Sequence, residues 1–214
     1  MTDIAVIDYG MGNLRSVSKA IEHVAPRLTV TVTSDPEVVR RAGRVVFPGQ
    51  GAMPDCMREM DARGLREAVV ASARDKPFLG ICIGLQMLFD KSEEGDVAGL
   101  GLLPGKVRRF PHEAMVDADG EKLKVPHMGW NEVHQTMQHP LWEGIVSGSR
   151  FYFVHSYYAV PAVAEQVAGT VRYGRDITVA LASDNIFAVQ FHPEKSQHAG
   201  LQLLANFMRW NGTL

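Results

Sequence analysis

The sequence predicts an α/β protein on an open, mixed but mostly parallel sheet flanked by helices, with short antiparallel strands in its second half. Three observations carry this expectation. Between Ile4 and Phe89, short apolar runs alternate with stretches of helical periodicity, the pattern of a doubly wound sheet. The runs Ile4–Ile7, Val45–Phe47 and Phe78–Ile81 are apolar throughout, as strands covered on both faces require. From Lys106 onward the segments shorten, alternate and are parted by turn residues. The length of 214 residues fits one domain, 1–214, with no repeat, low-complexity tract or linker.

The elements follow in order. Ile4–Ile7 reads as a central strand and Asp8–Asn13 as a turn. Leu14, Val17, Ile21 and Val24 mark a helix over 14–24. Thr29–Thr33 is β-branched and reads as strand, and Ser34-Asp35-Pro36 as a helix start. Val45–Phe47 is a buried strand stopped by Pro48-Gly49-Gln50-Gly51. Helices are expected over Ala52–Met60 and Leu65–Arg74. The strand Phe78–Ile81 hands over at Cys82 to a helix marked by Leu85, Leu88 and Phe89. Ser92–Gly105, rich in Gly and acid, reads as loop. Strands are expected at Lys106–Phe110, Phe151–Val160, Gln166–Tyr173, Thr178–Ala182 and Ile186–Phe191, with turns at Asp117–Gly120 and Ser183–Asn185. Leu201–Trp210 closes the chain as a helix.

Composition narrows the function classes. Hydrophobic residues make up 46%, enough for a real core, and the net charge of −2 gives no electrostatic drive toward nucleic acid or membrane. Two cysteines, Cys56 and Cys82, make no disulfide framework and suit a reducing compartment. No signal-peptide pattern stands at the N-terminus, and no apolar run reaches the roughly 18 residues of a spanning helix. A soluble cytoplasmic protein is expected. Gly10-Met11-Gly12 lies between strand and helix like a dinucleotide fingerprint, but Arg15 occupies the third glycine's place, so no cofactor is expected. No metal is expected either. Cys56 and Cys82 are too far apart for a zinc pair, and His127, His134 and His139 have no cysteine at finger spacing.

The chemistry centres on Gly80-Ile81-Cys82-Ile83-Gly84, a G-x-C-x-G form of the nucleophile elbow. A sharp strand-to-helix turn exposes one side chain at the sheet edge, and glycines on either side remove clashing Cβ atoms. The helix N-terminus would aim N–H groups and a partial positive charge at the sulfur, favouring the thiolate. Alone, Cys82 reads equally well as a small core residue. A thiolate nucleophile needs a proton shuttle and an orienting group. His192 stands at the end of the strand Ile186–Phe191, where parallel-sheet sites gather. Pro193 favours an extended His192, which would turn Glu194 to the same side and let it fix the ring's tautomer. The glycines of Pro48-Gly49-Gln50-Gly51 can present backbone N–H groups to an oxyanion, with the N–H of Ile83 as second donor. Singly, each of these is also an ordinary turn or surface feature; together they make a Cys82–His192–Glu194 triad.

The combination of PGQG (48–51), GICIGLQ (80–86) and FHPEKSQ (191–197) resembles the class I, or triad, glutamine amidotransferases. DYGMGN (8–13), PHMGWN (126–131) and FVHSYYAV (153–160) narrow the resemblance to the glutaminase subunits of imidazole glycerol phosphate synthases, over Ile4 to about Asn211. The resemblance implies a flavodoxin-like amidotransferase fold and glutamine as substrate. Cys82 would attack the side-chain amide, His192 would protonate the departing ammonia and then activate water, and Glu194 would orient the ring. Gly49, Gln50 and Gly51 would form the oxyanion strand. Gln86, Glu94, His155 and Ser156 would contact glutamine, Glu94 through its ammonium group and His155 and Ser156 near its carboxylate. Ammonia would pass to a separate (β/α)₈-barrel cyclase subunit, faced by Asn13, Trp130, Asn131 and Lys195. Gln50 departs from the family's common small apolar residue, and Ile83 from a frequent Leu. A stand-alone cysteine hydrolase of the same fold and a non-catalytic partner-binding relative remain the competing readings.

Overall fold

In the computed structural model, which describes residues 2–111, 115–117 and 120–213, the apolar runs of the first half become the centre of the sheet. β1 (Ile4–Ile7) leads through α1 (Leu14–Val24) to β2 (Val30–Thr33), α2 (Pro36–Arg41) and β3 (Arg44–Gly49). Then come α3 (Met53–Ala62), α4 (Arg66–Asp75) and β4 (Phe78–Cys82). Every residue of β1 and β4 is buried, which explains their lack of polar alternation. α1 turns Val17, Ser18 and Ile21 inward. Pro36 opens α2, and the Asp35 carboxylate caps it by accepting from the Glu37 N–H at 2.8 Å.

The second half contributes α5 (Ile83–Gln86), β5 (Phe89–Ser92), β6 (Val97–Ala98), β7 (Leu103–Arg109) and β8 (His127–Gln135). It continues with β9 (Ser149–His155), β10 (Tyr157–Pro161), β11 (Val167–Tyr173), β12 (Arg175–Ser183), β13 (Ile186–Val189) and α6 (Gln197–Arg209). The main sheet runs β2-β1-β3-β4-β13-β12-β10-β7-β5-β6. Its pairs are parallel from β2 to β13, and antiparallel from β13 through β12 and β10 to β7. β11, β8 and β9 branch from β12 as an antiparallel extension. α1 packs against α6, and α2 against α4. Among the described residues no helix is long and apolar enough to cross a membrane.

Several expectations are corrected. The spacing of Leu85, Leu88 and Phe89 is not a continuing helix. α5 is one turn of 4 residues, after which the Leu88 carbonyl accepts from the Leu102 and Leu103 N–H groups and Phe89 opens β5. The expected loop Ser92–Gly105 therefore holds the end of β5, all of β6 and the start of β7. Phe151–Val160 is two strands: β9 pairs with β8, whereas β10 pairs with β7 and β12. They part at Ser156, whose carbonyl accepts from Phe110 N–H at 3.0 Å. β8 was not foreseen, and β3 continues through Pro48 and Gly49, expected as turn. The turn at Ser183–Asn185 is present, with Asp184 at φ +48°. Of the turn at Asp117–Gly120, Ala118 and Asp119 lie outside the described residues.

Three buried histidines couple this core to pH. His139 is held against Phe187 and Trp210, its Nδ1 accepting from Leu141 N–H at 3.1 Å, and burial pushes its pKa down to about 4. Burial likewise lowers His127 to about 4. Burial, reinforced by neighbouring His127, takes His155 to about 3. Each ring is neutral when folded but takes a proton near pH 6.5 when unfolded. Their stabilisation is thus complete above pH 6.5 and is lost as pH falls toward 4 and 3, each contributing up to about 1.4 kcal/mol per pH unit. Unfolding midpoints in urea are expected to fall steeply between pH 6.5 and 4.5. A flat profile there would contradict neutral burial of the three rings.

Candidate active site

The parallel register brings the ends of three strands to one sheet edge. Gly49 lies opposite Cys82, and Ile81 opposite Val189, so Gln190, Phe191 and His192 emerge beside the Cys82 turn. Cys82 sits at φ +56°, a region few non-glycine residues occupy, and its surroundings hold it there. A Cβ on Gly84 would collide with the Phe47 carbonyl oxygen, and one on Gly80 would lie 3.1 Å from the Ala188 Cβ. The two glycines therefore let the turn close against β3 and β13. Because α5 is a single turn, the expected helix field behind the sulfur is reduced to that turn.

His192 and Glu194 meet as expected but by another geometry. His192 is extended at φ −102°, ψ 95°, and Pro193–Lys195 then forms a 3₁₀ turn that folds Glu194 back. Glu194 Oε1 lies 2.9 Å from His192 Nδ1, with the carboxylate side chain only 1% exposed. Ser196 Oγ donates to the His192 carbonyl, and the His192 N–H to the Tyr152 carbonyl, fixing the loop. Nε2 is buried and closes no hydrogen bond. Burial disfavours the charged ring, yet the Cys82 sulfur and the Glu194 carboxylate more than offset it, raising the His192 pKa to about 10. Nδ1 is thus a donor to Glu194 and Nε2–H is turned to the sulfur's side.

The segment Pro48–Gly51 is braced from below. Tyr9 Oη donates to the Pro48 carbonyl at 2.8 Å, and Cys56 Sγ donates to the Gln50 carbonyl at 3.5 Å. Burial pushes the Cys56 thiol up to about 11, which disfavours its thiolate and suits a structural group. Gly49 is wedged where a Cβ would meet Tyr9 Oη and come within 2.9 Å of the Ile83 Cβ.

Cys82 and His192 open on a cavity of about 300 Å³. Gln50, Gly51, Ile83, Gln86, Glu94, His155 and Ser156 line it too, so the structure gathers these expected residues around the sulfur. Gly49 instead borders a small cleft behind it, with Asn13 and Glu194. Glu94 accepts from the Met53 N–H at 2.8 Å at the start of α3. His155 donates from Nδ1 to the Tyr157 carbonyl at 2.8 Å, and its Nε2 accepts from His127 Nδ1 at 2.9 Å.

Of the residues expected to face a partner, Trp130 is 43% exposed and stacks edge-on against Tyr152, over whose ring Lys195 also lies. Lys195 reaches the cavity rim as well. Asn131 is tied inward, bonding the Arg172 carbonyl and His127 Nε2, each at 3.2 Å.

Sequence reasoning missed Tyr9, Tyr157 and Gln190. Gln190 is fully buried with Nε2 3.8 Å from Cys82 Sγ. Its signal was its place two residues before His192. Among the described residues no group of three or more His, Cys, Asp or Glu side chains could hold a metal ion.

Residues 5–210 match the family model described as glutamine amidotransferase class-I. The subunit HisH of imidazole glycerol phosphate synthase from Thiobacillus denitrificans is 70% identical over 98% of this chain and 92% of its own length. The same subunit from Nitrosospira multiformis is 68% identical over 98% and 99%. Among solved structures, that of a glutamine amidotransferase superposes with a TM-score of 0.71 at 16% identity, covering 97% of this chain and 100% of that one. The glutaminase domain of Trypanosoma brucei CTPS, with bound acivicin, gives 0.65 at 15% identity over 99% and 95%. At those identities the structures speak for the fold, while the family match and the relatives span nearly the whole sequence: the chain belongs to the class-I glutamine amidotransferase family.

Proposed function

We propose that this chain is the glutamine-hydrolysing subunit of an imidazole glycerol phosphate synthase, with one amidotransferase domain acting in histidine biosynthesis. The observation that carries the reading is the meeting, on one sheet edge, of a strained Cys82 and the His192–Glu194 pair beside a cavity of about 300 Å³. Cys82 Sγ attacks the side-chain amide carbon of glutamine. The oxyanion is held by N–H groups of the segment that follows Gly49, at Gln50 and Gly51, and of Ile83, all of which line the cavity. His192 Nε2 delivers its proton to the departing ammonia, leaving a γ-glutamyl thioester. It then takes a proton from water, which attacks the thioester and releases glutamate and the sulfur. Glu194 stays ionised and fixes the ring. No step calls for a cofactor or metal.

The hydrogen bonds already made sort the substrate contacts. Both ring nitrogens of His155 are engaged, so its backbone and the Ser156 side of the cavity are left for the α-carboxylate. Glu94 uses Oε2 on Met53 and keeps Oε1 for the ammonium group. Gln86 Oε1 is buried without a partner and suits the substrate's amide N–H.

Ammonia then passes to a (β/α)₈-barrel cyclase subunit, giving imidazole glycerol phosphate and aminoimidazole carboxamide ribotide. Met128 and Trp130, exposed on one face of β8 beside Tyr152 and Lys195, support a docking face that includes Asn13, with Asn131 turned inward behind it. The two unpaired cysteines suit a cytoplasmic setting. Glutamate release should be slow for the chain alone and rise at least about tenfold with a cognate cyclase and its ligand, the size of ordinary coupling between sites. Equal rates in both states would make the chain a free glutaminase and remove the coupled-synthase reading.

A further inference from the structure

We propose that Gln190 is a positioning residue for the nucleophile, holding the Cys82 sulfur and favouring its thiolate through a relay of two buried side-chain amides. The inference rests on the reading of Cys82 as nucleophile. Gln190 is anchored on the sheet by its N–H, which donates to the Val179 carbonyl at 2.8 Å. Its Nε2 lies 3.8 Å from Cys82 Sγ, a long contact but one within reach of an N–H···S interaction. Its Oε1 accepts from Gln86 Nε2 at 2.9 Å, and the same Gln86 nitrogen donates to the Tyr157 carbonyl at 3.2 Å.

The polarity of this relay is set from its outer end inward. A backbone carbonyl only accepts, so the end of Gln86 that meets Tyr157 is its NH₂ group. That group also meets Gln190, so Gln190 offers it the oxygen. The Gln190 NH₂ is then turned to the sulfur. Reversing Gln86 would set its oxygen against those of Tyr157 and Gln190, and reversing Gln190 would set NH₂ against NH₂ and oxygen against the sulfur; in a buried site either mismatch is costly. β10 thus orients, through α5, a donor aimed at Cys82. A donor there stabilises the anion over the neutral thiol. His192, two residues along, supplies the proton needed later and is a separate group.

The test is the pH profile of Cys82 alkylation by iodoacetamide in the free full-length chain, read by peptide mass. Gln190→Met keeps the length and removes the donor. Its profile should move to higher pH by about one unit, the size of one lost hydrogen bond to a charged group. Its kcat for glutamine should fall about tenfold at nearly constant KM. Gln86→Met removes what orients Gln190 without touching the sulfur, and should move the profile the same way by less. It carries the test if Gln190→Met does not fold. Unmoved profiles overturn the proposal. Glutamine hydrolysis surviving in Cys82→Ala would overturn the nucleophile reading instead, and with it the ground of this one.

Discussion

Replacing Cys82 by alanine is expected to lower glutamine hydrolysis by about 10⁴- to 10⁶-fold, the scale seen when a covalent nucleophile is removed. The fold should survive, because the substitution takes one atom from a side chain at the edge of a cavity and leaves Gly80 and Gly84 seated against β13 and β3. His192→Asn should cost nearly as much, and the double variant little more than either alone. Residues that act as one unit are not additive. The physical reason is that neither group has another partner for its step. Nε2 of His192 closes no hydrogen bond, and the other cysteine, Cys56, has a thiol pushed up to about 11 by burial. Glutamate release measured on the three variants checks this. Additive losses would show that Cys82 and His192 do not act together.

Glu194→Gln carries the second large effect, a loss in kcat of about 10³- to 10⁴-fold with a nearly unchanged melting temperature. An amide is the same size, so packing is kept. But Oε1 now accepts from Nδ1 only if the amide nitrogen takes the buried place of Oε2, which has no partner in the structure. If the amide turns over instead, its NH₂ faces Nδ1 and forces the wrong tautomer. In either case the imidazolium loses one of the two groups that raise it to about 10. The sign follows for stability. A raised pKa gives a contribution that is full below pH 6.5 and lost as pH climbs toward 10. That alkaline decline should be shallower in the variant. A full kcat in Glu194→Gln would contradict the orienting role.

Much of this architecture could be read before any coordinates. β1, β3 and β4 declare themselves because strands covered on both faces carry no polar alternation, and α1 because Leu14, Val17, Ile21 and Val24 share one face. What escaped was decided by partners far along the chain. The spacing of Leu85, Leu88 and Phe89 fits a helix, yet the Leu88 carbonyl is taken by residues 102 and 103, and the chain becomes strand. Phe151–Val160 is one apolar run, but its halves pair with different strands. β8 was invisible because exposed Met128 and Trp130 sit on it around Gly129. The candidate triad shows the same division. Cys82, His192 and Glu194 were legible from local motifs, whereas the 3₁₀ turn that joins the last two was not. Gln190 and Tyr9 act through contacts across strands, 108 and 39 residues away in sequence, which no local pattern displays.

The most direct measurement is covalent capture by an electrophilic glutamine analogue, such as a γ-chloroketone, followed by peptide mass mapping. A single adduct on Cys82, suppressed by glutamine and absent from Cys56, is the expected result. An adduct on another residue, or labelling of Cys82 that glutamine does not suppress, would contradict glutamine hydrolysis at this site.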